Sequence, residues 1–158
     1  MKSKTTHHLA QINIAKLIAP LEDPLIKEFR ESIDFVNQVG SESPGFLWIY
    51  KADDGSSSSY EENLYEDPLI VVNYTLWENY ESLHHFVFNT VHSYFLKNRK
   101  RWFSKLEQPH VAMWWVPAGT IPTIEDAKEK LAQLEKNGPG PEVFTMRKRY
   151  SATGEVVV

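Results

Sequence analysis

Four short segments of this chain are rich in β-forming residues and carry apolar side chains on both of their faces. They are residues 8–15, 46–50, 69–77 and 110–117. A strand that is apolar on both faces must be covered on both faces, because exposed apolar surface is unfavourable in water. The chain is therefore expected to form a sheet that is covered on each side.

Helical segments separate these strands. Asp23-Pro24 predicts a helix start and Gly40 its end. The buried stripe of this first helix is predicted to be Leu25, Phe29, Ile33 and Val36. A second helical region covers residues 78–103, and Asn89-Thr90 predicts a break within it. A third helix is predicted over residues 123–136, where Thr123 and Asp126 resemble a capping box.

The resulting order is β-α-β-β-α-β with an extra C-terminal helix, which is the ferredoxin-like arrangement of an α+β fold. It predicts an antiparallel sheet with both main helices on one face, in a single domain over residues 1–158 with a core at about 8–147. Covering the other face by a second copy predicts a homodimer. The serine-rich loop at 52–63 is either a solvated connection or a mobile lid, and the C-terminal tail is expected to be flexible.

Composition excludes several partners. The net charge is −4 and no block of Lys and Arg dominates, which argues against nucleic acid. The chain has no cysteine, so disulfides and thiolate chemistry are excluded, as expected for a cytoplasmic protein. The N-terminal sequence indicates no signal peptide, and no apolar run approaches the roughly 20 residues that span a bilayer.

The candidate site lies in the helical stretch of residues 91–103. His92 and Arg99 are seven residues apart, which places them on one stripe if the helix is continuous. Leu96 and Phe103 would share that stripe, and the neighbouring stripe would hold Val91, Phe95 and Trp102. The stretch thus predicts an apolar wall that carries one imidazole and one guanidinium.

The chemistry of this wall suits a small organic ligand with an acidic or carbonyl group. Arg99 could stabilise an anion and His92 could transfer a proton. The predicted ligand-binding residues are Asn13, Trp48, Asn73, Trp77, Trp102 and Trp114. Alternatively, His92 is a core histidine bonded to a backbone carbonyl, Arg99 is a surface charge, and Trp102 belongs to the core. The Gln11/Asn13 face of the first strand is either an exposed edge or the polar floor of a cavity.

Cofactor motifs are missing from the sequence. No HExxH pattern, Gly-rich phosphate loop or Gly-x-Ser-x-Gly elbow occurs, so no protein-held metal or nucleotide is expected. Haem ligation by His92 is a minor alternative to a site without cofactor.

Several motifs resemble an uncharacterised family, domain of unknown function 3291. They are the segments at residues 8–15, 43–48, 72–78 and 113–119, together with His92 and residues 99–103. The resemblance implies membership of the dimeric α/β-barrel group, which includes antibiotic-biosynthesis-type monooxygenases, chlorite-dismutase-like haem proteins and cofactor-free enzymes. It implies no established activity, because a fold does not fix a function.

Two hypotheses of function follow. The first is an enzyme that acts on a small, partly aromatic molecule by monooxygenase-like or proton-transfer chemistry, with His92 and Arg99 as catalytic residues. The second is a non-catalytic binding protein or structural dimer, in which the aromatic residues form the core and the interface.

Overall fold

The computed structural model describes residues 6–51, 67, 69–90, 92–106 and 109–157. Residues 52–63, for which a lid is one prediction, lie outside this part, as does Val91. The strands are β1 (His7–Leu17), β2 (Phe46–Ile49), β3 (Ile70–Trp77), β4 (Phe103–Ser104), β5 (Val111–Pro117), β6 (Arg149–Tyr150) and β7 (Val156–Val157). The α-helices are α1 (Lys27–Glu42), α2 (Tyr80–Asn89), α3 (His92–Lys97) and α4 (Ile124–Asn137), with 3₁₀ turns at Pro24–Ile26 and Arg99–Arg101.

The main sheet has β1 at its centre. β1 pairs antiparallel with β3 on one side and with β5 on the other, and β2 lies beyond β3. The short β4 pairs with the last residues of β1. The order β2-β3-β1-β5 is that of a ferredoxin-like sheet, so the predicted fold class is confirmed.

The two faces of this sheet follow from the alternation of side chains along β1 and β3. One face carries Leu9, Gln11 and Asn13 of β1 opposite Trp77, Thr75 and Asn73 of β3. Apolar residues of α1, α2 and the segment after α3 pack on this face, which we call the α1 face. The other face, the α4 face, carries Ala10, Ile12, Ile14, Val72, Tyr74 and Leu76.

Helix α4 covers the second face of the sheet. Its buried residues Ala127, Leu131 and Leu134 pack in the same cluster as Ile12 and Tyr74. The predicted capping box is present, since Thr123 and Asp126 each accept a hydrogen bond from the other's backbone N–H. The two-sided strands predict that a second copy covers this face, whereas the chain covers it with its own helix. The homodimer stays a prediction, without that support.

The segment after α4 wraps around the outer edge of β5. Val143 packs on the α4 face, whereas the next residue, Phe144, packs on the α1 face. Phe144 and Met113 of β5 exchange backbone hydrogen bonds of 2.9 Å, and the indole of Trp115 donates to the Tyr150 carbonyl at 2.8 Å. This segment therefore contacts the exposed edge of β5 over a short length and limits pairing with another chain there.

The first turn of the α1 region corrects the predicted buried stripe. Leu25 is 65% exposed, whereas Ile26 is fully buried. The cause is the 3₁₀ turn at Pro24–Ile26, which advances each side chain by about 120° instead of about 100°. Farther along α1, Phe29 and Val36 pack inward and Ile33 is buried, as predicted.

Gly45 lets the start of β2 approach α2. Its φ is +82°, a left-handed conformation that glycine adopts at little cost. A methyl group at this position would overlap the Ser82 Oγ and lie 2.5 Å from the Ser82 Cβ. Gly119 has a similar φ of +89° with open space around it.

We predict that Gly45→Ala destabilises the protein more than Gly119→Ala does. Both substitutions place alanine in a left-handed conformation, at about 1–2 kcal/mol. Gly45→Ala also creates the overlap with Ser82, and overpacking typically adds about 1–3 kcal/mol. Urea unfolding of the two variants measures the difference. Equal losses of stability would contradict the close approach of β2 and α2.

Candidate functional site

The α1 face of the sheet is divided into two separate apolar clusters. The Trp77 cluster contains Leu9, Trp77, Leu83, Phe86, Met113 and Phe144. The Trp102 cluster contains Leu17, Ala19, Ile26, Val71 and Trp102, with Phe29 and Phe95 packed against it. Between them, the central strands carry four polar side chains, Gln11 and Asn13 of β1 and Asn73 and Thr75 of β3. We call these four residues the polar row.

Hydrogen bonds connect the buried part of this row. The Gln11 Nε2 donates to the Thr75 Oγ1 at 2.8 Å and to the Asn73 Oδ1 at 3.4 Å. The indole N–H of Trp77 donates to the same Thr75 oxygen at 2.9 Å. Gln11 and Thr75 are 6% and 4% exposed, so these bonds lie in a water-poor environment, where they are strengthened.

Three groups of the row have no partner within the part of the chain that the structure describes. They are the side-chain oxygen of Gln11, the side-chain amide of Asn13 and the side-chain NH₂ of Asn73. An unpaired buried polar group costs about 1–3 kcal/mol, so the buried Gln11 oxygen is expected to pair with water or with a ligand. The prediction of an exposed edge at Gln11 and Asn13 is wrong, because β1 is the central strand. The polar-floor alternative fits the position of both residues.

The burial along the row indicates where it opens. Gln11 and Thr75 are buried, whereas Asn13 and Asn73, which face each other across the strands, are half-buried. Asn13 also lies beside Val111, the first residue of β5. The accessible end of the row therefore lies near the start of β5.

Helix α1 passes over the row. Its residues Phe29 and Val36 belong to the Trp102 and Trp77 clusters, one at each end of the row. Ile33 lies between them on the same stripe and is buried, yet it belongs to neither cluster. The order of this stripe places Ile33 between the two clusters that border the polar row.

His92 lies at the predicted break between α2 and α3. Its backbone N–H and its ring both contact the end of α2, through the Thr90 hydroxyl at 3.3 Å and the Val87 carbonyl at 3.2 Å. Because a carbonyl oxygen only accepts, the Nδ1 of His92 carries the proton in that bond. In the neutral ring the Nε2 is then a proton acceptor. This geometry matches the core-histidine alternative and leaves one basic nitrogen.

The electrostatics of His92 favour that neutral form. Burial lowers the pKa of its imidazole below the usual range, and the hydrogen bond to Val87 opposes this shift. The ring packs on Phe86 at 5.0 Å between centroids, and Phe86 stacks on Trp77 at 5.4 Å. The Phe86 ring thus connects His92 to the Trp77 indole, which bonds Thr75.

Arg99 does not lie beside His92. Helix α3 ends at Lys97, and Arg99 begins a 3₁₀ turn, so the seven-residue spacing no longer places the two side chains on one stripe. Arg99 is exposed, and its guanidinium donates to the Leu96 carbonyl at 2.8 Å. Phe103 lies in β4 rather than on the helix. Of the two polar groups predicted on this wall, the His92 imidazole packs on an apolar residue, whereas the Arg99 guanidinium does not.

The sheet also divides the predicted tryptophans. Trp77 and Trp102 lie on the α1 face, in the clusters named after them. Trp48 and Trp114 lie on the α4 face, where their ring centroids are 5.3 and 5.9 Å from that of Tyr74. A single ligand cannot contact both pairs through the intervening sheet. Thr75 was missed as a site residue, although strand alternation places it on the same face as Asn73 and Trp77.

The outer surface of the described residues has grooves on α1 and on α2. One of about 610 Å³ runs along α1 and includes Leu25, Glu28 and Phe35. The other, of about 330 Å³, includes Tyr80 and Arg149, whose guanidinium lies 3.8 Å from the centre of the Tyr80 ring. Among the described residues, no three His, Cys, Asp or Glu side chains are grouped so as to hold a metal ion. Within the same ranges, the helices lack the combination of length and apolarity that a bilayer crossing needs.

A family model described as "Domain of unknown function (DUF3291)" matches residues 8–157, which include every element of the site. The chain belongs to the DUF3291 family. The comparison with curated proteins gave no match.

Solved structures resemble this DUF3291 protein distantly. PA3566 of Pseudomonas aeruginosa is 12% identical with a TM-score of 0.49, over 75% of this chain and 100% of its own. MupZ of Pseudomonas fluorescens is 9% identical with a TM-score of 0.43, over 96% and 93%. A Streptomyces coelicolor monooxygenase from the gene ActVA-Orf6, solved with Nanaomycin D, is 18% identical with a TM-score of 0.38, over 75% and 95%. These likenesses are too distant to assign a function.

We predict that His92 makes the stability of this DUF3291 protein fall in mild acid. Because its folded pKa lies below the unfolded value of about 6.5, the unfolded state binds the proton first. Stability should therefore decrease as the pH falls from about 6.5 to the folded pKa, by up to about 1.4 kcal/mol per pH unit, and level off below it.

Urea unfolding at about pH 7.5 and 5.5 tests this prediction. His92→Asn is the control, since its amide can still donate to Val87 but does not titrate. The wild type should lose more stability than the variant between the two pH values. Equal losses would contradict the neutral, partly buried imidazole.

Proposed function

We propose that this chain binds a small, flat, partly aromatic molecule between its helices and the α1 face of its sheet, with a polar group of the ligand on the polar row. The supporting observation is the row itself. Polar residues interrupt the centre of a two-sided core, and part of their hydrogen-bonding capacity has no partner in the described residues. A network that served the fold alone would be expected to pair these groups.

The surroundings of the row suit such a ligand. Small-molecule sites are mainly apolar, with a few polar groups that fix the orientation. Here the two ends of the row are formed by Trp77 with Phe86 and by Trp102 with Phe95. A flat molecule that partly separates the layers would lie under Ile33 and between these rings.

His92 is the candidate proton-transfer residue. Its tautomer leaves the Nε2 as a base, and its lowered pKa keeps it neutral near pH 7. It could accept the proton of a hydroxyl group or of a C–H bond next to a carbonyl. Removing the hydroxyl proton of a phenol also gives the more electron-rich anion that a monooxygenase-like reaction with dioxygen requires. Arg99 has no part in this proposal, because its side chain points to solvent.

The second candidate is a non-catalytic binding protein in the form of a homodimer. It is favoured by the bond between the His92 ring and the Val87 carbonyl, which gives the imidazole a structural role at the end of α2. Both candidates assume a cytoplasmic protein and no resident cofactor. A visible absorption band in the purified protein would instead indicate haem or flavin.

Ligand binding is tested by thermal shift against naphthols, naphthoquinones and hydroxycoumarins. A ligand at about 100 times its Kd adds about 2.7 kcal/mol, which raises the Tm of a domain of this size by roughly 5–10 °C. Asn73→Ala should weaken the shift, because Asn73 lies at the accessible end of the row. Asn89→Ala, in the surface groove beside Arg149, is the matched control and should keep it. The proposal would be wrong if no compound shifted the Tm, or if Asn89→Ala abolished the shift and Asn73→Ala did not.

His92→Asn and His92→Leu separate the enzyme from the binding protein. Asparagine keeps a donor for Val87 but has no basic nitrogen, whereas leucine has neither. For an enzyme, turnover of the bound compound should fall at least about 100-fold in His92→Asn with the Tm nearly unchanged. Turnover that survives in His92→Asn and is lost together with the fold in His92→Leu supports a structural histidine.

A further inference from the structure

The hydrogen bonds of the neighbouring residues determine how the side-chain amide of Gln11 uses its two hydrogens. The indole N–H of Trp77 can only donate, and it occupies one lone pair of the Thr75 oxygen. Gln11 Nε2 donates one hydrogen to the other lone pair and its second hydrogen to Asn73. Both amide hydrogens are therefore used within the row, and Gln11 has an acceptor left but no donor.

The remaining group of Gln11 is its side-chain oxygen. No residue in the described ranges donates to it, although Gln11 is buried, with only 6% of the residue exposed. On the β5 side, Gln11 and Asn13 face Met113 and Val111, whose side chains have no polar hydrogen. In this structure the free amide hydrogens of Asn13 and Asn73 make no bond to this oxygen, which leaves it available to a donor on a ligand.

We propose that Gln11 selects the ligand by accepting a hydrogen bond from an aromatic hydroxyl group. This inference rests on the proposed function and names the ligand class of the same site. The row carries no charged side chain, so a neutral O–H is favoured over an ammonium group, whose burial without a counter-charge is costly. The aromatic ring of the ligand follows from the aromatic residues at both ends of the row.

A matched pair of probes tests this selection. 1-Naphthol and 1-methoxynaphthalene share one ring system, but the methoxy group cannot donate a hydrogen bond. Leaving the buried oxygen unpaired should weaken binding of the methyl ether at least about tenfold in the wild type. Isothermal titration calorimetry near pH 7, where naphthol is neutral, measures both constants. Equal affinities, or tighter binding of the ether, would overturn the inference.

Gln11→Met is the matching variant, because methionine has a similar length and no oxygen. The tenfold preference for naphthol should disappear in it. Gln38→Leu is the control, since Gln38 is an exposed glutamine on α1 whose amide bonds Glu42, and it should retain the preference. If Gln11→Met does not fold, Thr75→Val replaces it, because losing the Thr75 acceptor frees the Gln11 amide to rotate and should reduce the preference. A preference that persists without the glutamine oxygen would also overturn the inference.

A ligand-free experiment separates this inference from the proposed function. In ¹⁵N-labelled protein, the side-chain NH₂ of Gln11 should exchange slowly and show nuclear Overhauser effects to the Thr75 methyl group and the Trp77 indole N–H. Their absence would mean that the amide has the opposite orientation, which overturns the inference even if ligands bind. If the effects are present but no compound of the thermal-shift panel binds, the proposed function fails and the ligand class falls with it. If both bind equally, the inference alone is wrong.

Discussion

The rest of the structure depends on the position of β1. This strand is paired on both edges, with β3 and β5, and is covered on both faces, by α4 and by the α1 layer. A side chain at the centre of such a strand has little access to bulk water, so a polar group there needs a partner or an opening. Gln11 and Asn13 are therefore the residues at which this core departs from apolar packing.

Much of the fold could be predicted from local patterns. Two-residue periodicity locates the strands, the Thr123–Asp126 pair locates the start of α4, and Asn89-Thr90 locates the helix break. These features depend on residues close together in sequence, where capping and alternation act directly. The same alternation places Asn13, Asn73 and Trp77 on one face, so part of the candidate site was also predictable.

The remaining site residues depend on contacts that are distant in sequence. The helical spacing of His92 and Arg99 assumes a continuous α-helix, and the 3₁₀ turn that begins at Arg99 breaks that assumption. Trp48 and Trp114 look equivalent to Trp77 in composition, but the register of the sheet places them on the opposite face. Either α4 or a second copy of the chain can cover that face. Which of them does so depends on packing between distant residues, and no local sequence pattern predicts it.

The most direct measurement of the central claim is the response of side-chain amide resonances to a ligand. Titration of ¹⁵N-labelled protein with 1-naphthol should shift the amides of Gln11, Asn13 and Asn73, because the account places the ligand on the polar row. The exposed amides of Gln38 and Asn89 serve as internal references on the outer surfaces of α1 and α2. Shifts concentrated on the three row residues are the predicted result. Shifts concentrated on Gln38 or Asn89, with the row unchanged, would place the ligand in a surface groove and contradict the account.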